Sequence, residues 1–248
     1  MSIPSPLSTS ARSDRSRPLH HRIVLTICLL VCIGATTAAA QEAPDRPLAT
    51  TGQVLSFAGA GAFFATSVVL DLTEGPPHCA PCDPADVPSF DRWVIRPAQT
   101  EFARASDVLL IGLGGTTLWD TWRGPDGPRR SIITLEAVAW SLGVVELSKA
   151  LIGRERPVMY TDDAIEAADK VKNLRSMPSG HTALAFAFAT SYWLNNPERG
   201  VAPKVLAIVA AAGVGVSRVA AAKHFPSDVV VGAALGTLSA VVIHEIRF

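Results

Sequence analysis

Apolar residues along this chain fall into long blocks separated by turn signals, not into short alternating runs. After an apolar stretch at Ile23–Ala40, the blocks are Val54–Leu70, Arg104–Trp119, Ser131–Ile152, Gly180–Leu194, Ala202–Val216 and Ser227–Ile246. Gly/Pro-rich or Asn-rich breaks separate them: residues 123–128, Arg156-Pro157 and Asn195-Asn196-Pro197. No stretch alternates for long enough to build a sheet. The pattern predicts an all-α fold: a helical bundle of about six helices after an N-terminal signal segment, embedded in a membrane.

The first block has its own character. Residues 1–22 are polar and basic, with Arg12, Arg15, Arg17 and Arg22, and the apolar run ends in Thr36-Thr37-Ala38-Ala39-Ala40. That order describes a secretory signal peptide cleaved after Ala40, or an uncleaved signal anchor. Residues 41–248 are then a single helical domain. Its 73–100 loop is rich in proline and contains Cys79-Ala80-Pro81-Cys82. A small local disulfide is the favoured reading there. A redox pair, or a metal site with His78, is the alternative, but no second pair of cysteines exists to complete a structural zinc site.

Composition narrows the partners. The 248 residues carry 22 basic and 22 acidic side chains, a net charge of zero, so a nucleic-acid partner is not expected. Hydrophobic residues make up 48% and charged ones only 18%, which excludes disorder for most of the chain and suits closely packed helices.

The polar residues that remain gather where the last helical blocks begin or end. Lys149 and Arg156 stand seven apart before Pro157, which on a helix puts both cations on one face. Pro178-Ser179-Gly180-His181 reads as a helix start. Ser179 is a candidate N-cap, Gly180 allows close backbone approach, and free amides there suit a phosphate-like anion. Ser217-Arg218 is followed by His224 and Asp228, four apart, so that an Asp could fix the His tautomer and leave the other ring nitrogen as a nucleophile. Taken singly, each cluster also reads as a solvated helix end, a capped helix or a structural His–Asp bond. In an antiparallel bundle the three meet on one side and form an anion pocket containing a nucleophile.

These clusters resemble the type 2 phosphatidic acid phosphatase superfamily, which includes vanadium haloperoxidases and bacterial class A acid phosphatases. The family pattern K-x6-R-P, P-S-G-H and S-R-x5-H-x3-D is met at Lys149…Arg156-Pro157, Pro178-Ser179-Gly180-His181 and Ser217-Arg218…His224…Asp228. The motifs occupy residues 149–228. The resemblance implies a phosphatase working through a phosphohistidine, without metal or other cofactor. His224 would attack phosphorus, Asp228 would orient it, and His181 would protonate the leaving oxygen. Lys149, Arg156, Ser179, Gly180 and Arg218 would hold the phosphoryl oxygens. Arg154, Lys172, Arg175 and Lys223 read as rim or headgroup contacts.

The resemblance further implies a lipid phosphate or diphosphate substrate, of phosphatidate or polyprenyl diphosphate type. A soluble periplasmic acid phosphatase of broad specificity is the alternative. A haloperoxidase is disfavoured because its relatives need more helices than this chain has, and a binding protein is disfavoured because His181, His224 and Asp228 are all present. Loops 120–130 and 195–204 carry Arg123, Arg129, Arg130, Arg199 and Lys204 on the face opposite the pocket. That predicts an inner-membrane protein with a periplasm-facing site. If residue 41 starts outside, such a site needs one early block not to cross, and Arg104–Trp119 is the shortest. Glu136 and Glu146 are expected to face the bundle interior.

Overall fold

The computed structural model describes residues 49–72 and 77–248. The signal segment expected at 1–40, with Cys28 and Cys32, lies outside them. Six long helices carry the fold: α1 (Thr51–Leu72), α3 (Thr100–Trp122), α4 (Gly127–Ile152), α6 (Gly180–Asn195), α7 (Val201–Ala220) and α8 (Pro226–Arg247). Two short ones, α2 (Ser89–Arg92) and α5 (Ala164–Ala168), sit in connections. Regular structure among the described residues is entirely helical, as the blocks predict. Stretches within α1, α4, α7 and α8 are long and apolar enough to cross a bilayer.

Side-chain pairs at the two ends give each long helix a direction. At one end Ser106 of α3 meets Arg218 of α7, Asp107 of α3 meets His181 of α6, and Ser179 bonds Asp228 of α8. At the other end Asp120 of α3 meets Tyr192 and Arg199, Asn195 meets Thr134 of α4 and His244 of α8, and Arg247 reaches Gly52 of α1. So α1, α4 and α7 run toward the first end while α3, α6 and α8 run away from it.

Small residues make the bundle tight. α6 is the axis, packed against α3, α4, α7 and α8, and it buries Ala183, Ala185, Ala187 and Ala189. A Cβ on Gly236 of α8 would strike the Ala183 carbonyl, and one on Gly232 would lie 2.5 Å from the Ser179 carbonyl oxygen. A Cβ on Gly143 of α4 would lie 2.6 Å from the Ala60 carbonyl oxygen of α1. Glycine is therefore what lets these backbones touch. Glu136 is fully buried and paired with Arg247, so it faces inward as expected.

One expectation is extended and one is corrected. The Arg104–Trp119 block is the core of a 23-residue helix, about 35 Å long at 1.5 Å per residue. It runs the length of the bundle but, with four charged side chains and modest hydropathy, it is not among the helices apolar enough to cross a bilayer, in line with the expectation that this block does not cross. The Lys149–Arg156 pair does not share one helix, because α4 stops at Ile152. Gly153 takes the left-handed conformation (φ 58°) and its N–H closes on the Lys149 carbonyl. Arg156 follows in extended backbone ahead of Pro157. The 77–99 connection folds over the first end of the bundle, where Val87 and Val94 pack on Ala222 and Phe225. Cys79 and Cys82 there form a disulfide.

Candidate active site

His224 lies in the short link between α7 and α8. Ala222 at φ 51° turns the chain there, and Phe225 caps α8. The imidazole is almost wholly buried. Its Nδ1 lies 2.7 Å from the carbonyl oxygen of Ser176. A carbonyl only accepts, so the proton sits on Nδ1 and Nε2 carries a free lone pair. Burial pushes the imidazole pKa down to about 3; the charges of Arg156 and Arg218 push the same way and Asp228 opposes them. The ring is therefore neutral at physiological pH, which a nitrogen nucleophile requires.

Asp228 does not take that proton directly. Its Oδ2 is 3.7 Å from Nδ1. The carboxylate instead accepts from the Ser176 hydroxyl (2.5 Å), the Phe225 backbone N–H (2.8 Å) and Arg154 Nη1 (2.7 Å). Ser176 thus touches both partners: its carbonyl holds the imidazole and its hydroxyl bonds the carboxylate. Asp228 acts on His224 through this residue and through its charge.

Arg154 is the second correction at this site. It is no rim cation. Its guanidinium bridges Asp228 Oδ1 and Asp91 Oδ2 (2.8 Å) and stacks over Phe225, 4.1 Å from the ring centroid. Asp91, fully buried, also accepts from the Ser227 hydroxyl and backbone N–H. This network ties the 77–99 connection to the start of α8 beneath the imidazole. Arg175 likewise turns inward and pairs with Asp71 at the end of α1. Lys223 remains half-buried near the pocket, its pKa lowered by burial and then by Arg156 and Lys172, a sign of strong local positive potential.

His181 stands in the first turn of α6, and its Nε2 lies 2.8 Å from Asp107 Oδ1 on α3. Both are partly open to solvent, so a ligand oxygen can reach the ring. Burial, and then the Arg218 charge, lower the imidazole pKa, and the Asp107 carboxylate opposes them. Ser179 is completely buried. Its hydroxyl pairs with Thr182 Oγ1 (2.9 Å) and its N–H goes to the Asp228 carbonyl, so it makes no side-chain cap. The amides of the next first-turn residues have no intrahelical acceptor and are left to an anion. Gly180 keeps the approach open, since a Cβ there would lie 3.1 Å from Lys149 Nζ.

The three motif cations lie at this same end of the bundle. Lys149 Nζ bonds Glu146 Oε1 at 2.5 Å. Arg218 Nη1 bonds Ser106 Oγ at 3.1 Å and stands 3.9 Å from Asp107. The Nε atoms of Arg156 and Arg218 are buried without a hydrogen-bond partner. Buried donors left unpaired are costly, and a tetrahedral oxyanion is the group that would satisfy both. No motif flagged Asp91, Asp107 or Ser176, because their partners lie 48 to 136 residues away.

Residues 131–248 match the PAP2 superfamily model. A 96-residue stretch is 38% identical to the lipid A 1-phosphatase of Porphyromonas gingivalis; it covers 39% of this chain and 19% of that relative. The chain therefore matches only about a fifth of the length of that curated protein. No solved structure matches.

Proposed function

We propose that this chain is a membrane-embedded, metal-independent phosphatase of lipid phosphates that works through a phosphohistidine. The PAP2 match over residues 131–248 and the similarity to a lipid A 1-phosphatase support a phosphatase. The observation that carries the mechanism is a neutral His224 with its proton held on Nδ1, beside two buried guanidinium groups whose Nε donors are unpaired.

The phosphoryl group sits among Lys149, Arg156, Arg218 and the first amides of α6. Its negative oxygens replace the missing partners of Arg156 and Arg218. Phosphoryl transfer needs positioning and charge neutralisation more than covalent chemistry, and three cations supply that neutralisation. His224 Nε2 bonds to phosphorus as the bond to the leaving oxygen breaks, and His181 delivers a proton to that oxygen. The Asp107 carboxylate holds His181 in place for this. Neutral His181 then takes a proton from water, whose oxygen displaces His224 and releases phosphate. The Nδ1–H of His224 stays on the Ser176 carbonyl, while Asp228 stabilises the positive charge that grows on the ring.

The lipid substrate is supported by four helices long and apolar enough to cross a bilayer and by the name of the relative. A periplasm-facing site is supported by basic residues at the opposite end of the bundle and by a disulfide at the site end. The test is phosphate release in detergent and EDTA, from a diacylglycerol phosphate and from a soluble aryl phosphate. Release that persists in EDTA and is faster from the lipid is expected. Release only from the aryl phosphate would move the reading to a broad-range acid phosphatase. No release from either substrate by folded protein would overturn it.

A further inference from the structure

Beside the link that carries His224, α7 and α8 part and leave a groove of about 600 Å³. That volume is typical of small-ligand sites. Its walls are apolar side chains of α7 and α8, among them Ala212, Val216, Val230 and Ala233, with Phe186 of α6 also lining it. Val216 and Val230 are each 68% exposed, so the groove opens on the outer surface of the bundle and not into its core. α7 and α8 are two of the helices apolar enough to cross a bilayer. Gly215 keeps the two walls close, because a Cβ there would lie 2.7 Å from Val229 Cγ1.

The lining also includes two residues of a different kind. Trp93 and Arg96, from the connection over the site end, complete the groove. Trp93 is 62% exposed. Arg96 donates from Nη2 to the Ala220 carbonyl at 3.0 Å, but its Nε is buried and unpartnered. Among the described residues it forms no ion pair, unlike Arg154, Arg199 or Arg247. An apolar channel with an indole and a guanidinium that has no carboxylate partner complements an amphiphile with one anionic group at the end of an alkyl chain.

We infer that this groove binds one bilayer phospholipid, its acyl chain between α7 and α8 and its phosphodiester on Arg96. The occupant is not the reacting substrate, because none of Lys149, Arg156, Gly180, His181 or Arg218 lines the groove. The last residues of α7 and the first of α8, which flank His224, do line it. A lipid seated there braces the catalytic link from outside. The inference rests on the membrane reading above but not on the phosphatase chemistry.

The probe is phosphatidylglycerol with a diazirine in its acyl chain, added to the full chain in mixed micelles. Photolabelled peptides are mapped, and phosphate release is read separately, so loss of the phosphatase reading and loss of this one are distinguishable. Labelling concentrated on residues 212–233 is expected. Filling the groove with Ala212→Trp and Val230→Trp, both at exposed positions, should cut that labelling at least tenfold. Arg96→Gln should weaken it severalfold, and labelling of α1 should stay unchanged in both variants. Labelling spread evenly over every exposed helix, or indifferent to the filled groove, would overturn the inference. So would labelling displaced stoichiometrically by a non-hydrolysable phosphonate analogue of phosphatidate, since the substrate would then be the occupant. Cross-links between two copies through this face would do the same.

Discussion

Asp228 and Asp91 are buried carboxylates that share one cation, and that makes the loss of Arg154 costly to the fold. Arg154→Met leaves both carboxylates without it, and breaking a buried pair from one side costs about 3–5 kcal/mol. Thermal unfolding in detergent should show that loss, and Asp91→Asn added to Arg154→Met should recover part of it. A change below about 1 kcal/mol would contradict the buried bridge. His224 carries a second prediction. Its folded pKa of about 3 lies below the ordinary value near 6.5, so between those values the unfolded chain binds a proton that the native one does not. Its contribution is intact above about pH 6.5 and declines as the pH falls toward 3. Chemical unfolding between pH 4 and 7 should therefore slope less steeply in His224→Gln than in wild type. At this scale the motif cations and histidines stood out by their spacing and by the family resemblance that it carries. Ser176 and Asp107 were not, because a carbonyl acceptor and a partner on a distant helix leave no local pattern. Arg154 was misjudged because a cation beside an anion pocket reads the same whether it faces the ligand or a buried acid.

Block boundaries in the sequence located all six long helices. What they could not supply was which glycines are contacts. Gly236 and Gly112 both interrupt apolar helices, yet only Gly236 lies against another backbone; nothing stands within 4 Å of a Cβ on Gly112. Gly236→Ala is expected to destabilise by about 1–3 kcal/mol through forced separation of α6 and α8. Gly112→Ala should be neutral or stabilising by up to about 1 kcal/mol, because it gains helix propensity at no steric cost. Melting temperatures of the two variants in one detergent decide this, and equal effects would sink the close-contact account. The end of α4 was hidden for a related reason. The seven-residue spacing of Lys149 and Arg156 suggested a shared helix face, whereas a left-handed Gly153 stops the helix and lets extended chain carry Arg156 into the pocket.

For the molecule as a whole, both α1 and α3 run the length of the bundle, so Thr50 and the pocket lie at opposite ends. A leader that delivers residue 41 to the periplasm and a periplasmic site then compete, because α1, one of the four helices apolar enough to cross a bilayer, runs from Thr51 to the pocket end. The Cys79–Cys82 disulfide at the pocket end and the arginines at the other end favour the periplasmic pocket. With Cys28 and Cys32 replaced by Ser, Asp162→Cys should react with an impermeant maleimide in intact cells. Thr50→Cys and Gly200→Cys should be protected until the cells are opened. Labelling of Thr50→Cys together with Asp162→Cys from outside would contradict a crossing by α1. Topology was the least legible property of the sequence, since it depends on whether a helix of modest hydropathy spans.

The most direct test of the central claim is to trap the phosphoenzyme. Wild-type protein in EDTA is mixed with a radiolabelled lipid phosphate, quenched within one turnover, and digested for peptide mapping. The account predicts an acid-labile, alkali-stable label on His224, absent from His224→Ala together with phosphate release. A label on any other residue, or release that survives in His224→Ala, would contradict it.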